Sequence, residues 1–483
     1  MREATAISTD PPPPGHRRGV LEALAARLRA GEVTPEVLLE RAVERAGAPE
    51  LDAVYLAIPV ERARREAARS GARHRRGRSR GLLDGIPVAW KDVFDVGGTP
   101  TTAGSASRKR AAPATEDAEA VQRLGIAGMV CVGKTNLSEF AFSGLGINPH
   151  FGTPANPWAG NEALVPGGSS SGSAVAVSAG SVPVAIGTDT SGSVRVPAAF
   201  NALVGFKPSA GRYPQGGVYP LSRTLDRVGV LAPMVRDCVI VDQALRGRLP
   251  LSPHAPSVEG VEVVVPTNVL SWGTDAPVME GFDNTVEALR ARGVRVIRRP
   301  LRGLEQAYDV IAAHGTITAA EAYVLHRDLL GRATESSIDP LVARRLKEGG
   351  AQTGSDLVAI QRVREQASRT LAHELGGALV LFPTVGCLPP SMNALASDPE
   401  RAHNTNARVL RNCMVGSLLD LPGVALPCGL DARHGLPISC LLSAPAGQDV
   451  RVLASALGLE AAIAEAGLWR TSLSRYFPQE LEK

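Results

Sequence analysis

The sequence is poor in lysine, aromatic residues and cysteine, and it lacks long apolar runs. Only six of its 52 basic residues are lysines. Aromatic residues make up 4% of the 483 residues, which gives no sign of a large aromatic-lined tunnel. The six cysteines show no CxxC spacing, so we predict reduced thiols in a cytoplasmic protein and no metal site. No apolar run reaches the roughly 18 residues typical of a membrane span.

Composition and charge indicate an ordinary globular protein. Hydrophobic residues make up 44% of the chain, charged residues 21%, and the formal net charge is +4. A charge this close to neutral does not indicate a nucleic-acid partner. The basic run 73–80 (RHRRGRSR) has no interleaved aromatic residues, so we interpret it as a solvated linker. Residues 1–10 contain no apolar segment, so neither a signal peptide nor a membrane partner is expected.

Helical and strand-like patterns alternate along most of the chain. We expect a disordered tail over 1–17, one domain over 18–470 with a helical insertion or cap at about 300–375, and a second tail over 471–483. Outside a mostly helical stretch at 303–375, the predicted elements are helices at 21–30, 35–45, 61–70, 117–124, 174–179, 236–246, 278–292 and 449–465, and strands at 86–90, 129–132, 182–186, 261–265, 294–298, 378–382, 422–427 and 437–442. This alternation predicts an α/β fold with a mixed, largely parallel central sheet covered by helices on both faces.

Serine and glycine crowd the two ends of segment 167–193. Its 27 residues include six glycines and eight serines, and a helix-like and a strand-like apolar stretch lie between the two clusters. A flexible linker would not need those apolar stretches. We therefore interpret the segment as two serine-bearing turns around a buried helix–strand unit. The glycines would let backbone N–H groups converge on one point, as an oxyanion hole requires.

A serine nucleophile needs a base, and the best candidate is a lysine. None of the nine histidines has a neighbouring motif that indicates a Ser-His-Asp triad. Lys91 directly follows the apolar stretch 86–90, so we expect it at the end of a buried strand. Burial would lower its pKa and allow it to act as a neutral base. The alternative is a salt bridge between Lys91 and the adjacent Asp92.

The chain resembles the amidase signature family in several motifs that occur in order. The best matches lie between about residues 80 and 235. They are Asp84–Asp92 (DGIPVAWKD), Gly133–Phe140 (GKTNLSEF), Asn156–Trp158 (NPW), Gly167–Ser173 (GGSSSGS), Gly187–Pro197 (GTDTSGSVRVP), Gly205–Pro208 (GFKP) and Thr224–Asp226 (TLD). The resemblance implies hydrolysis of an amide without a metal or other cofactor. With few aromatic residues and no amphipathic membrane-docking helix in the sequence, we expect a small soluble substrate, a carboxamide or a ureide. It leaves a homodimer as an option for the assembly.

The resemblance also assigns roles to individual residues. Ser193 would be the nucleophile, Ser169 the bridging serine on a cis peptide bond, and Lys91 the base. The resemblance implies three further roles for residues in two short segments, 189–195 and 141–144. They are an oxyanion hole from the backbone N–H groups of Thr190, Ser191, Gly192 and Ser193, a structural ion pair of Asp189 with Arg195, and substrate binding by Ala141, Phe142, Ser143 and Gly144. The family usually has glycine where this chain has Ser191, and a side chain at that position leaves the backbone N–H available.

Two other motif matches do not fit their surroundings. Residues 128–135 (GMVCVGKT) satisfy the Walker A pattern, but their variable positions are an apolar run that should itself be a strand. Residues 168–172 (GSSSG) match the nucleophile elbow of α/β-hydrolases without the hydrophobic strand that precedes it. The main alternative function is the A subunit of a glutamyl-tRNA(Gln) or aspartyl-tRNA(Asn) amidotransferase. Against it, residues 139–154 depart from the glycine-methionine-glycine loop of that subunit.

Overall fold

The computed structural model describes residues 18–270, 273–331 and 337–469, together with Thr471 and Tyr476. The predicted tails therefore lie outside the described residues, apart from those two positions, and the division into one domain and two tails stays a prediction. Fifteen α-helices lie in the described ranges: α1 (Val20–Ala30), α2 (Pro35–Ala46), α3 (Val60–Arg75), α4 (Glu119–Ile126), α5 (Ser171–Ser178), α6 (Arg195–Phe200), α7 (Val235–Leu245), α8 (Ala276–Arg290), α9 (Arg302–His314), α10 (Ile317–His326), α11 (Pro340–Ala351), α12 (Gly354–Leu375), α13 (Met392–Ala396), α14 (Pro399–Leu418) and α15 (Asp449–Glu465).

The strands of the described chain form one sheet of eleven members. They are β1 (Tyr55–Ala57), β2 (Pro87–Lys91), β3 (Val130–Thr135), β4 (Ala185–Asp189), β5 (Val204–Lys207), β6 (Arg227–Ala232), β7 (Glu262–Pro266), β8 (Arg295–Arg299), β9 (Leu379–Pro383), β10 (Gly423–Leu430) and β11 (Pro437–Ser443). Their order across the sheet is β1-β3-β2-β4-β6-β5-β10-β11-β9-β7-β8.

The predicted mixed α/β fold is confirmed, and the sheet is more antiparallel than expected. Within the described ranges, four strand pairings are parallel and six are antiparallel. The parallel pairs β2–β3 and β7–β8 are joined through α4 and α8, because parallel neighbours need a crossover. Strands β4, β6, β5, β10, β11 and β9 are joined edge to edge by antiparallel pairing, and this run of antiparallel pairs fills the centre of the sheet.

Each predicted helix and strand has a counterpart, with informative shifts. The predicted strand 182–186 begins only at Ala185, since Pro183 cannot donate a ladder hydrogen bond. Helix α3 runs through Gly71, the predicted stop, to Arg75. A Cβ atom at Gly71 would lie 2.2 Å from a carboxylate oxygen of Glu36, so this glycine permits close packing on α2.

The sheet topology determines where Lys91 and the serine-bearing turns lie. Strands β2 and β4 are parallel neighbours, with Trp90 opposite Ile186. Their carboxyl ends therefore meet at the same edge of the sheet, where β2 ends at Lys91 and β4 ends at Asp189. All five residues of each strand are buried. Lys91 must consequently find its partners inside the protein.

Candidate active site

Lys91 is fully buried and contacts hydroxyl groups rather than a carboxylate. Its Nζ atom is 2.7 Å from Ser169 Oγ and 2.9 Å from Thr188 Oγ1. The adjacent Asp92 pairs instead with Lys134, whose Nζ atom is 2.6 Å from Asp92 Oδ1. In the described part of the chain, no carboxylate lies within ion-pairing distance of Lys91. The simple alternative, a salt bridge between Lys91 and Asp92, is therefore wrong.

Ser169 lies just before α5, in a loop that its backbone ties to a neighbouring turn. The peptide bond between Gly168 and Ser169 is cis. The carbonyl of Ser169 accepts a hydrogen bond from the N–H of Ser138 at 3.2 Å. Its hydroxyl is completely buried and faces Lys91.

Ser193 lies in the turn between β4 and α6 and is connected to the same serine loop. Its carbonyl accepts a hydrogen bond from the N–H of Ser170 at 3.2 Å. Only 3% of Ser193 is exposed. Its hydroxyl makes no hydrogen bond to any described residue. The structure thus contains a hydrogen bond between Lys91 and Ser169, but none from Ser193 to Ser169.

The four backbone N–H groups proposed for an oxyanion hole differ in their surroundings. The N–H of Gly192 donates to Asp189 Oδ1 at 2.8 Å, so it is already used within the loop. The N–H groups of Thr190, Ser191 and Ser193 donate to no acceptor among the described residues, and their role stays a prediction. Gly192 has a φ of +130°, and a Cβ atom there would lie 2.6 Å from the Cβ of Cys413. Glycine is therefore required at 192 for backbone and packing reasons.

The serine at 191, where the family usually has glycine, is accommodated by a side-chain contact. Its hydroxyl lies 3.3 Å from the hydroxyl of Thr318 on α10. Helix α10 also contacts the loop before β6. Glu321 of α10 accepts hydrogen bonds from the hydroxyl of Ser222 at 2.5 Å and from the N–H of Thr224 at 3.1 Å. The predicted helical block at 303–375 thus contacts the turn that holds Ser193.

Asp189 and Arg195 form the predicted ion pair, entirely inside the protein. The Nε and terminal nitrogen atoms of Arg195 each donate to the carboxylate of Asp189 at 2.9 Å. The guanidinium also donates to the carbonyl of Cys413 and the hydroxyl of Ser417 on α14. Burial raises the pKa of Asp189, but the charge and hydrogen bonds of Arg195 outweigh burial and leave the pKa at about 2. The pair therefore braces the turn that holds Ser193.

The predicted substrate-binding segment 141–144 lies beside Ser169. The carbonyl of Gly144 accepts a hydrogen bond from the N–H of Gly168 at 2.7 Å. On the other side, Asn406 Oδ1 accepts from the Ser143 hydroxyl at 3.1 Å and from the Gly144 N–H at 2.7 Å. The structure brings the segment to the site, while its contact with substrate stays a prediction.

The comparison with known families agrees with this geometry. Residues 37–453 match the family model described as Amidase. The chain belongs to the amidase signature family. As a member of it, the enzyme is an amide-cleaving hydrolase, and the resemblance seen in the sequence motifs is confirmed.

Relatives and solved structures cover nearly the whole amidase. It is 34% identical over 449 residues to 2-amino-5-chloromuconic acid deaminase of Comamonas testosteroni, which is 91% of this chain and 95% of that protein. It is 32% identical over 480 residues to the A subunit of the glutamyl-tRNA(Gln) amidotransferase of Anaeromyxobacter sp. (strain K), covering 92% of this chain and 96% of that one. A crystal structure of an amidase superposes with a TM-score of 0.80 at 33% identity, covering 94% of this chain and 100% of that one.

Thr188 and Asp226 were not predicted as site residues, although each contacts a residue of the candidate site. The hydroxyl of Thr188 contacts the Lys91 amine, and its carbonyl accepts from the hydroxyl of Ser170 at 3.3 Å. Asp226 accepts a hydrogen bond from the Thr190 hydroxyl at 2.6 Å, and it also accepts from two backbone N–H groups of the preceding loop. Both residues belong to stretches that match family motifs, which was the available signal.

Burial controls the ionisation of the Lys91 amine. Burial lowers the pKa of Lys91 to about 7, although the charges of Asp226 and Asp189 act in the opposite direction. Burial likewise raises the pKa of Asp226, against hydrogen bonds from Thr190 and the loop and the charge of Lys91. A substantial fraction of Lys91 is therefore neutral near pH 7.

Metal clusters and membrane-spanning helices are both absent from the part of the amidase that the structure describes. Over those residues, no group of three or more His, Cys, Asp or Glu side chains is placed to hold a metal ion. No helix in the described ranges combines the length and the apolar character that crossing a bilayer requires.

Proposed function

We propose that this amidase is a stand-alone amidohydrolase that cleaves the C–N bond of a small carboxamide or ureide through an acyl-enzyme on Ser193. The observation that supports this most directly is the 2.7 Å contact between Lys91 Nζ and Ser169 Oγ, deep in the protein. A lysine whose pKa is about 7 has an amine lone pair available at neutral pH. A cytoplasmic location and a homodimer remain predictions.

The proposed reaction begins with two linked proton transfers. Neutral Lys91 accepts the hydroxyl proton of Ser169 while Ser169 accepts the proton of Ser193, whose Oγ attacks the amide carbon. The hydrogen bond between the two serines would form on substrate binding, since catalytic hydrogen bonds often tighten only in the complex. The proton now on Lys91 returns through Ser169 to the leaving nitrogen. The C–N bond breaks, ammonia or an amine leaves, and an ester to Ser193 remains.

Deacylation uses the same groups in reverse order. Water loses a proton to Lys91 through Ser169 and attacks the ester carbonyl. The carboxylic acid leaves and the proton returns to Ser193, so amide and water give acid and ammonia or amine. In both halves, negative charge develops on the carbonyl oxygen, and the unengaged N–H groups of Thr190, Ser191 and Ser193 are the proposed donors.

The A subunit of a glutamyl-tRNA amidotransferase is the second candidate, and the 32% identity to such a protein favours it. A protein of that kind would transfer ammonia to the site of a partner protein. Hydrolysis of simple amides by the purified chain alone distinguishes the two functions. Ammonia release that depends on an added partner protein would support the second.

The test assays the purified chain on aliphatic, aryl, amino-acid and ureido amides for ammonia release. Ser193→Ala should lower the rate at least ~10³-fold, because no acyl-enzyme can form. Ser171→Ala is the matched control: this serine is also buried, and its hydroxyl has no partner among the described residues. Mass spectrometry of acid-quenched enzyme should find the acyl group on the peptide that contains Ser193. An active Ser193→Ala variant would exclude the mechanism.

A further inference from the structure

Two aromatic rings in residues 138–144, the segment beside Ser169, are each covered by a nitrogen-bearing side chain from the helical block 303–375. The imidazole of His326, at the end of α10, stacks on Phe140 with ring centroids 4.1 Å apart. The guanidinium of Arg345, on α11, lies 3.9 Å from the centroid of Phe142. Arg345 also donates to the carbonyl of Phe142 at 2.5 Å. Both nitrogen groups are thus held against the segment by ring contacts.

This segment is attached directly to the serine loop. The N–H of Ser138 donates to the carbonyl of Ser169, and the N–H of Gly168 donates to the carbonyl of Gly144. Phe140 and Phe142 lie between these two attachment points. A group bound against the segment would therefore lie next to the reacting centre.

Arg345 has no carboxylate partner among the described residues. Its neighbour Glu348, one turn along α11, is engaged elsewhere: its Oε1 atom is 3.1 Å from Arg344 and 3.7 Å from His403. Arg344, by contrast, is paired with both Glu348 and Glu400. Burial lowers the pKa of Arg345 to about 10, with Glu348 acting against burial, which still leaves the guanidinium charged at neutral pH. A partly buried charge without a counter-ion is costly, and an incoming anion would relieve that cost.

His326 is the second unmatched group. It is 2% exposed, and its Nε2 atom has no hydrogen-bond partner among the described residues. Burial, aided by the charge of Arg108, lowers the pKa of His326 to about 4, so the ring is neutral at pH 7 and can donate one hydrogen bond.

The acidic side chains near this segment are already engaged. Glu139 Oε1 accepts a hydrogen bond from the Ser105 hydroxyl at 2.6 Å. Glu139 Oε2 accepts a hydrogen bond from the N–H of Asp339 at 2.6 Å and lies 3.2 Å from His150 Nε2. Asp339 Oδ1 accepts from the N–H of Leu341 at 2.8 Å. Neither carboxylate forms an ion pair with Arg345. The unmatched groups around the two rings are therefore a cation and a neutral imidazole.

We propose that Arg345, assisted by His326, binds a carboxylate on the acyl part of the substrate, so that the preferred substrate is a small anionic amide such as a dicarboxylic acid monoamide. This inference rests on the proposed function and adds a substrate class to it. Arg345 would pair with the carboxylate while the acyl chain passes the rings of Phe140 and Phe142 toward Ser193. Arginine suits this role because its planar fork can bind a carboxylate through two hydrogen bonds.

The experiment compares kcat/KM within isosteric pairs: succinamate against butyramide, glutaramate against pentanamide, and adipamate against hexanamide. We expect the wild type to prefer the anionic member at one chain length by at least about tenfold. Arg345→Met should lower that anionic-to-neutral ratio by ~10- to 100-fold, the range for hydrogen bonds to charged groups. Arg345→Lys should give an intermediate ratio. Arg344→Met, which removes the adjacent but paired arginine, should leave the ratio unchanged.

Calorimetric titration of succinate, glutarate and adipate provides a readout that does not need turnover. Dicarboxylate binding by the wild type that is lost in Arg345→Met, but kept in Arg344→Met, supports the inference. It does so even if no amide is hydrolysed, and the absence of hydrolysis would then refute the proposed function alone. Amide hydrolysis without anionic preference and without dicarboxylate binding refutes the inference and leaves the function standing. If Arg345→Met does not fold, His326→Gln is measured together with Arg345→Lys. The inference is refuted if both variants fold and both keep the anionic-to-neutral ratio of the wild type.

Discussion

The Nζ atom of Lys91 lies 2.7 Å from the Oγ atom of Ser169, where the end of β2 meets the loop before α5. The two residues are 78 positions apart in sequence and both are completely buried. With Thr188 as its other hydroxyl partner, the amine is surrounded by groups that can either donate or accept a hydrogen bond. Such an environment suits an amine that alternates between its neutral and protonated forms.

The first prediction concerns the pH dependence of hydrolysis. If neutral Lys91 is the base, kcat/KM should rise about tenfold per pH unit below pH 7 and level off above it, following a pKa of about 7. Rates measured from pH 5 to pH 9 check this. A profile that is flat through pH 7, or full activity of Lys91→Ala at neutral pH, would contradict the assignment.

The second prediction concerns stability, where the sign follows from the lowered pKa of Lys91. Between about pH 7 and the ordinary lysine value of 10.5, the unfolded chain holds a proton on this residue that the folded chain does not. The wild type should therefore gain stability from Lys91 as pH rises through this window. The free energy of unfolding of Lys91→Met should exceed that of the wild type by the largest amount at pH 7 and below, and this difference should shrink toward pH 10.5.

Urea denaturation at several pH values measures that difference. The control is Lys109→Met, which makes the same substitution at an exposed lysine. A stability difference for Lys91→Met that does not vary with pH would argue that the amine is ordinarily ionised in the folded protein.

The third prediction separates two effects of Asp226, which we regard as a positioning residue. Asp226→Asn removes a negative charge that raises the pKa of Lys91, so the acid limb of the rate profile should move to lower pH. Thr190→Val removes only the hydrogen bond to Asp226 and keeps the charge. It should lower kcat by roughly 3- to 10-fold, the range for one hydrogen bond, without moving the limb. Identical profiles for the two variants would show that Asp226 acts through the loop alone.

The fourth prediction concerns the buried pair of Asp189 and Arg195. Arg195→Met leaves the Asp189 carboxylate buried without a counter-ion, so we expect a loss of about 3–5 kcal/mol in the free energy of unfolding. Adding Asp189→Asn to that variant should recover part of the loss. The control is Arg64→Met, which breaks an exposed, solvent-screened pair with Glu40 and should cost far less stability. Equal losses for the buried and exposed pairs would show that the buried pair does not brace the turn.

The sequence predicted most of the periodic elements but missed several that form the site. Helix α14, which supplies Asn406 and the contacts to Arg195, was not among the predicted elements. Strands β5 and β6 were also absent, although they account for much of the antiparallel pairing. Strands this short and helices this polar depend on their neighbours for burial, so their local pattern is weak.

The candidate triad was accessible from sequence because its signals are local. Lys91 follows a buried apolar run, the two serines lie in glycine-rich turns, and their order matches a family whose membership is now shown. The rarity of lysine in an arginine-rich chain makes Lys91 stand out, and arginine could not replace it as a neutral base.

Only the folded structure could decide which groups meet. Whether Lys91 pairs with its neighbour Asp92 depends on Lys134, which arrives from β3 and takes that carboxylate. The N–H of Gly192 is engaged because the turn folds back onto Asp189. Arg345 lies more than 200 residues from the segment it contacts. Residue types and spacing determine what chemistry is available, whereas long-range packing decides which charges are neutralised and which remain for a ligand.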